Sequence, residues 1–184
     1  MKNIFKKWNK VLPYILEHPY KAIHLRELAR KTMTSPSTCH RMVKQLEEYG
    51  LVERKKSYGM VFVKPVLSQT FKKMKIAYST YLIERSGVVE YIERNAFGLQ
   101  CLLVYGSAAK GEDDENSDYD LLAIVSKCKV NRLALSEILK REVNMKCFTL
   151  KEWKKVVEKN KAFYLEVITN SIVLKGNLPI VDHA

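Results

Sequence analysis

The chain has no run of apolar residues long enough to cross a bilayer, which excludes a helical membrane span. Its basic first ten residues, MKNIFKKWNK, lack the apolar core of a signal peptide, so the cytoplasm is the expected compartment and no membrane is expected as a partner. Cysteine is sparse, and Cys39, Cys101, Cys128 and Cys147 include no Cys-x-x-Cys pair, which argues against a zinc site. Cys101 and Cys147 fall in apolar, strand-like runs and read as buried thiols, in keeping with a reducing compartment. What the chain has in excess is positive charge, +12 over 184 residues, and it is unevenly spread. Residues 1–66 hold 14 basic against 5 acidic side chains, a net of +9. Residues 67–95 have a net of +2 and residues 96–184 a net of +1. A basic first third beside a near-neutral remainder points to a polyanion-binding module joined to something else.

The most informative stretch is 101–125, CLLVYGSAAKGEDDENSDYDLLAIV. It reads as a strand over Leu102–Tyr105, a Gly-Ser turn, a small-residue stretch, an acidic loop and a second strand opening at Asp118 and Asp120. Residues at i and i+2 of a strand share a face, so the two carboxylates leave the sheet together. Two adjacent carboxylates repel unless a cation lies between them, and hard oxygens suit Mg²⁺ or Mn²⁺. The Gly106-Ser107 turn offers backbone N–H groups and a hydroxyl to phosphate. Gly106, Ser107, Ala109, Gly111, Ser117, Asp118, Asp120, Leu121 and Leu122 together resemble the signature of the DNA polymerase beta-like nucleotidyltransferase superfamily, most of all its minimal branch.

That resemblance, over roughly Ala96 to Gly176, implies a small mixed α/β sheet and transfer of a nucleotidyl group from a nucleoside triphosphate. Asp118 and Asp120 would be the metal-holding catalytic pair, and Gly106, Ser107, Lys110 and Ser117 the nucleotide contacts. Active members usually carry a third carboxylate on the strand after the next helix. By position that strand is 143–149, and it offers Asn144 and Lys146 instead. The alternative is a nucleotidyltransferase-like domain that binds nucleotide or a partner without catalysis. Minimal nucleotidyltransferases also resemble antitoxin halves of two-gene modules, which would imply a small helical partner protein.

The N-terminal third has its own pattern. Ile4, Phe5, Trp8, Val11, Leu12, Ile15 and Leu16 keep helical spacing, interrupted by Pro13 and ended by His18-Pro19. IHLRELARKT predicts a second helix with Leu25, Leu28 and Ala29 inward. A third helix opens with Ser35 as N-cap and Pro36 at the first helical position, and stops at Gly50. LVERK and MVFVKP then flank Lys56-Ser57-Tyr58-Gly59 as a hairpin. Leu25, Glu27, Leu28, Ala29, Ser37, Thr38, Arg41, Leu46, Glu47, Gly50, Leu51, Val52 and Arg54 resemble the winged helix-turn-helix domain of transcription regulators.

The period of the third helix puts Cys39, Met42, Val43 and Leu46 inward and Ser37, His40, Arg41 and Lys44 on one outward face. The resemblance implies that this face enters the major groove of double-stranded DNA and that Arg54, Lys55 and Lys56 at the hairpin tip touch its backbone or minor groove. Arg41 and Lys44 suit phosphate contact ahead of base reading.

Residues 67–95 read as mostly helical, with a break at Ser86-Gly87. Such helices suit pairing into a homodimer as well as packing on the same chain's sheet, and both arrangements stay open. Further on, 131–143 predicts a helix with Leu133, Leu135, Ile138 and Leu139 apolar, 143–150 a strand, 151–160 and 162–170 two short helices, and IVLKG a closing strand. The expected architecture is α+β: a winged helix-turn-helix over 1–66, a connecting helical segment over 67–95, and a nucleotidyltransferase-like domain over 96–184.

Overall fold

The computed structural model describes residues 10–181, so the expected helix positions Ile4, Phe5 and Trp8 lie outside the described residues. The fold is α+β, and the chain divides into two compact units, Met1–Tyr78 and Ser79–Ala184. No described helix is long and apolar enough to cross a membrane.

In the first unit, α1 (Val11–Glu17) buries Val11, Leu12, Ile15 and Leu16. Pro13 sits in its first turn, where the missing N–H is no loss, so the helix begins late and runs straight through it. A two-residue strand β1 (Ile23–His24) leads into α2 (Leu25–Lys31), which buries Leu28 and Ala29. Helix α3 (Pro36–Glu48) starts as its sequence predicts: the Ser35 hydroxyl accepts from the Thr38 N–H at 3.2 Å, and Pro36 follows at the first helical position. Cys39, Val43 and Leu46 face inward and are buried. Gly50, at φ +67°, turns the chain out of the helix. Strands β2 (Val52–Ser57) and β3 (Met60–Pro65) pair antiparallel, and β1 adds to β3 to complete a three-stranded sheet.

The hairpin turn is shorter than 56–59. Lys56 and Ser57 belong to the ladder, opposite Val61 and Met60, and only Tyr58-Gly59 turn. Both have positive φ, +48° and +73°, the geometry that matches the twist of a two-residue hairpin.

The segment 67–95 is not a separate connector. Helix α4 (Gln69–Arg85) begins within the first unit, where Phe71 and Lys75 are buried. The Lys75 ammonium donates to the Leu16 carbonyl at 2.8 Å, and the Tyr78 hydroxyl donates to the Glu17 carboxylate at 2.6 Å. A cation at the carbonyl end of α1 satisfies a group the helix cannot, and it complements the helix dipole. These contacts make the first half of α4 part of the winged unit.

In the second unit, Ser86-Gly87 breaks the helix as predicted, and α5 (Val88–Asn95) follows with Val88 and Ile92 buried. Strand β4 (Ala96–Phe97) leads to β5 (Cys101–Tyr105), α6 (Gly106–Lys110), β6 (Tyr119–Ile124), β7 (Lys127–Cys128), α7 (Arg132–Leu139) and β8 (Val143–Phe148). Then come α8 (Leu150–Lys159), α9 (Lys161–Asn170) and β9 (Ile172–Gly176). The main sheet has the order β8-β6-β5-β9; β6 and β8 run parallel, and the other neighbours antiparallel. A small β4–β7 ladder lies beside it in sequence.

Strand alternation builds two cores. Leu102, Val104, Leu121, Ala123 and Met145 pack on one face with Val88 and Ile92 of α5 and Leu135 of α7. Cys101, Leu103, Tyr105, Leu122 and Ile124 pack on the other with Trp153 and Val157 of α8 and Tyr164 and Val167 of α9. Two expectations are corrected here. Leu133 is 75% exposed, because it stands off the α7 stripe that carries Leu135 and Ile138. Cys147 is not a free thiol: it forms a disulfide with Cys128, since the loop after β6 returns beside β8. Cys101 is free and buried as expected, and burial pushes its thiol up to about 11.

Candidate functional site

Two charged faces follow from these elements, one in each unit. On α3 the outward row holds as read from the period: Ser37, His40, Arg41 and Lys44 are all exposed. The Ser37 hydroxyl leans on that of Ser35 at 3.1 Å.

Arg54 departs from its expected place. It stands mid-strand opposite Val63, not at the hairpin tip, and its guanidinium is already engaged. Its Nε donates to Glu47 Oε2 at 2.7 Å, its Nη2 lies 2.5 Å from the same oxygen, and its backbone N–H donates to Glu47 Oε1 at 3.1 Å. Arg54 Nη1 also lies 3.4 Å from His40 Nε2. The hydrogen bond from Arg54 holds the Glu47 carboxyl below its usual range. Arg54 therefore clamps the wing to α3. The wing leaves Lys55, Lys56 and Lys64 open to solvent, and the Lys55 ammonium lies 3.2 Å from Glu53 while remaining well exposed.

This helix, turn, helix and two-stranded wing matches a known domain. Residues 10–56 fit the family model of the IclR helix-turn-helix domain. The match supports a winged helix DNA-binding domain in the first unit. No curated protein matches the chain. One solved structure, a crystal structure of a toxin-antitoxin with AMP-PNP, is similar at 19% identity and a TM-score of 0.38, over 49% of this chain and 71% of that chain.

The second face lies at one end of the main sheet. Asp120 opposes Tyr105 on β5 and Asn144 on β8, so these three side chains meet where the apolar floor of Leu122, Leu103 and Ile124 gives out. Asp118 stands two residues before Asp120, at the entry to β6. The Asn144 amide serves both carboxylates, donating to Asp118 Oδ2 at 2.9 Å and Asp120 Oδ1 at 3.3 Å. Burial pushes the Asp120 acid up, and the charges of Asp118 and Glu166 add to this, while the Asn144 bond and Lys146 oppose it. Beneath the pair, Gly106 has φ +71°, and a Cβ there would run into Asp120 Oδ2. Glycine suits the turn on both counts.

The loop between α6 and β6 is built, not merely solvated. Asp113 is buried against Arg141 Nη1 at 3.0 Å, Arg141 Nη2 donates to the Asp114 carbonyl at 2.6 Å, and the guanidinium lies 4.6 Å from the Tyr119 ring centroid. Ser117, expected at nucleotide, instead closes this loop: its hydroxyl donates to Asp114 Oδ1 and accepts from the Asp114 N–H, both at 2.9 Å. Those bonds hold Asp118 at the mouth of β6. Lys110, expected at phosphate, is paired with Glu166 of α9 at 2.6 Å.

The arrangement fits a hard divalent cation in part. Two half-exposed carboxylates on one face supply anionic oxygens, and half a turn of the Asn144 amide would exchange its donor for an acceptor. Among the described residues no group of three or more His, Cys, Asp or Glu side chains could hold a metal. Asp118 and Asp120 are thus a two-carboxylate site whose remaining ligands would have to be water and phosphate oxygens. Sequence reasoning does not single out Arg141, Asp113 or Glu166. The one signal it offers is the density of acids in 112–118, too many for all to face water.

Proposed function

We propose that the protein is a DNA-binding transcription regulator whose C-terminal unit is nucleotidyltransferase-like and takes up a nucleoside triphosphate at Asp118 and Asp120. The DNA half is carried by one observation: the exposed row Ser37, His40, Arg41 and Lys44 on the second helix of a domain that fits the IclR model. Mg²⁺ or Mn²⁺, when bound, would neutralise the triphosphate oxygens. The chain's own part is to bind and orient. Asp118 and Asp120 share one face, Gly106 lets the backbone come close, and Ser107 is partly exposed beside it.

Nucleotidyl transfer is the second reading, favoured by the Asp118–Asp120 pair and its glycine turn. Chemistry needs a base to take the proton from the attacking hydroxyl. Asn144 is an amide and Lys146 a cation, so neither position beside Asp120 supplies that base. This favours ligand binding over transfer.

The test is a salt titration of the full chain on random duplex DNA, repeated with ATP and Mg²⁺. Affinity will fall steeply with salt, and ATP with Mg²⁺ will raise the melting temperature of the parent but not of Asp118→Asn/Asp120→Asn. A flat salt profile removes the DNA reading. An unchanged thermal response in the double variant removes the carboxylate site. Label from an α-³²P nucleoside triphosphate appearing on protein or nucleic acid would move the reading to transfer.

A further inference from the structure

The carboxylate face has a fourth charged element, brought there by a helix far along the chain. Helix α9 presents Phe163 and Glu166, three residues apart and therefore on one side of the helix. The Phe163 ring meets Tyr105 edge-on at 5.5 Å, and the Lys146 ammonium lies 5.7 Å from its centroid. One step along α9, Glu166 Oε1 receives the Lys110 ammonium at 2.6 Å. Lys110 closes α6, the short helix that begins at Gly106 under Asp120. Tyr105, Asp120, Lys110, Glu166, Phe163 and Lys146 are thus linked around one mouth.

Within this ring the charges are unequal in freedom. Lys110 and Glu166 side chains keep 35% and 38% of their exposure, so an ion from solvent can reach both. The Glu166 charge also bears on Asp120 and on Tyr105, whose hydroxyl is pushed up to about 12 by burial first, then by Asp120 and Glu166. The bond to Glu166 holds the Lys110 ammonium protonated above its ordinary range. Glu166 therefore does two things to an incoming polyanion: it occupies the nearest cation and repels the anion's charge.

We propose that the Lys110–Glu166 pair is a latch, and that a polyphosphate entering beside Asp118 and Asp120 binds by displacing Glu166 from Lys110. The proposal rests on the nucleotide reading above and adds to it a residue that sets the site's affinity. It fixes the ligand class as a chain of phosphates, because the anion must out-compete a carboxylate for Lys110 while reaching a cation that Asp118 and Asp120 would hold. Once freed, Glu166 adds a third acidic group to the face that Asn144 and Lys146 leave without one.

The test measures tripolyphosphate and ATP binding to the full chain with Mg²⁺, by calorimetry, for the parent, Glu166→Gln and Lys110→Met. Removing the Glu166 charge while keeping its shape will tighten binding about two- to fivefold, the range expected of a partly exposed ion pair. Adding Lys110→Met will erase that gain. Acetylation of Lys110, read by mass spectrometry, gives a measure independent of affinity: Glu166→Gln will speed it, and tripolyphosphate will protect it. Binding that is unchanged or weaker in Glu166→Gln overturns the latch, as does a Lys110 that tripolyphosphate leaves unprotected in both proteins. The carboxylate reading fails separately, if Asp118→Asn/Asp120→Asn leaves ATP binding and its Mg²⁺ dependence intact while Lys110 is still protected.

Discussion

On α3 the outward row is basic or neutral from Ser37 to Lys44, and the neighbouring acid Glu47 is turned away to Arg54. Around the C-terminal site, charges have met an opposite or a donor: Lys110 with Glu166, Arg141 with Asp113, and the two aspartates with Asn144. The first face is left uncompensated, so an external polyanion gains the full attraction of several cations and releases its own condensed counterions. The second is compensated internally, so a ligand there gains only the difference between new partners and old ones. One surface suits binding that is strong and sensitive to salt; the other suits binding that is selective and depends on exchange.

The largest effect expected from this contrast lies in DNA binding. Arg41→Ala, Lys44→Ala, Lys55→Ala and Lys56→Ala together should flatten the log–log salt dependence by roughly 0.9 for each phosphate that is no longer neutralised. Between about 50 and 200 mM salt the parent should then lose roughly a hundredfold more affinity than the variant. Arg54→Ala is expected to behave otherwise. It releases the wing from α3, so it should lower the melting temperature as well as affinity, which thermal unfolding beside the titration will separate.

Next in size is Gly106→Ala. It forces a side chain into both a left-handed backbone and the Asp120 carboxylate, and should cost roughly 1–3 kcal/mol by chemical denaturation. A cost near zero would mean that the turn relaxes and that the close approach to Asp120 is dispensable.

A pH experiment sharpens the comparison on the buried side. Tyr105 is 7% exposed and its hydroxyl is pushed to about 12, against an ordinary value of 10. The folded chain therefore keeps this proton while the unfolded chain loses it. Stability from this group is whole below pH 10, falls as pH rises from 10 to about 12, and levels off above, by about 3 kcal/mol in all. Tyr105→Phe should remove that part of the alkaline loss when its denaturation curves are set beside those of the parent.

The smallest effect concerns Asp120. Its acid is raised, so the charged form is disfavoured in the folded state. Asp120→Asn should raise the melting temperature at neutral pH, and the gain should shrink as pH falls and the parent's own carboxyl takes up a proton. A variant less stable than the parent would show that the Asn144 bond outweighs the burial.

Local signals are legible where one element decides them. Ser35, Pro36 and Gly50 bound α3, and its period tells inside from outside because a helix surface needs no distant information. Strand alternation likewise puts Asn144 and Lys146 on the strand that borders Asp120. The same alternation sends Arg54 and Lys55 to opposite faces of β2, which a reading of the wing as a tip with three equal cations overlooks. Tyr58 at positive φ moves the turn outward by two residues, a conformation that side chains other than glycine seldom announce. Lys110 and Glu166 are 56 residues apart, and only the way α9 lies against α6 brings them together. Cys128 and Cys147 meet through a similar return of chain beside β8.

Lys75 turns the winged unit into its own clock. The amine is 1% exposed and held on the Leu16 carbonyl, while Lys73 on the same helix is open to solvent. An acylating reagent can reach Lys75 only when α4 lifts from α1, so its labelling rate relative to Lys73 counts opening events in the native protein. A duplex gripping α3 stabilises the closed form and will slow that count without touching Lys75. DNA occupancy can thus be timed from a residue that does not meet the DNA.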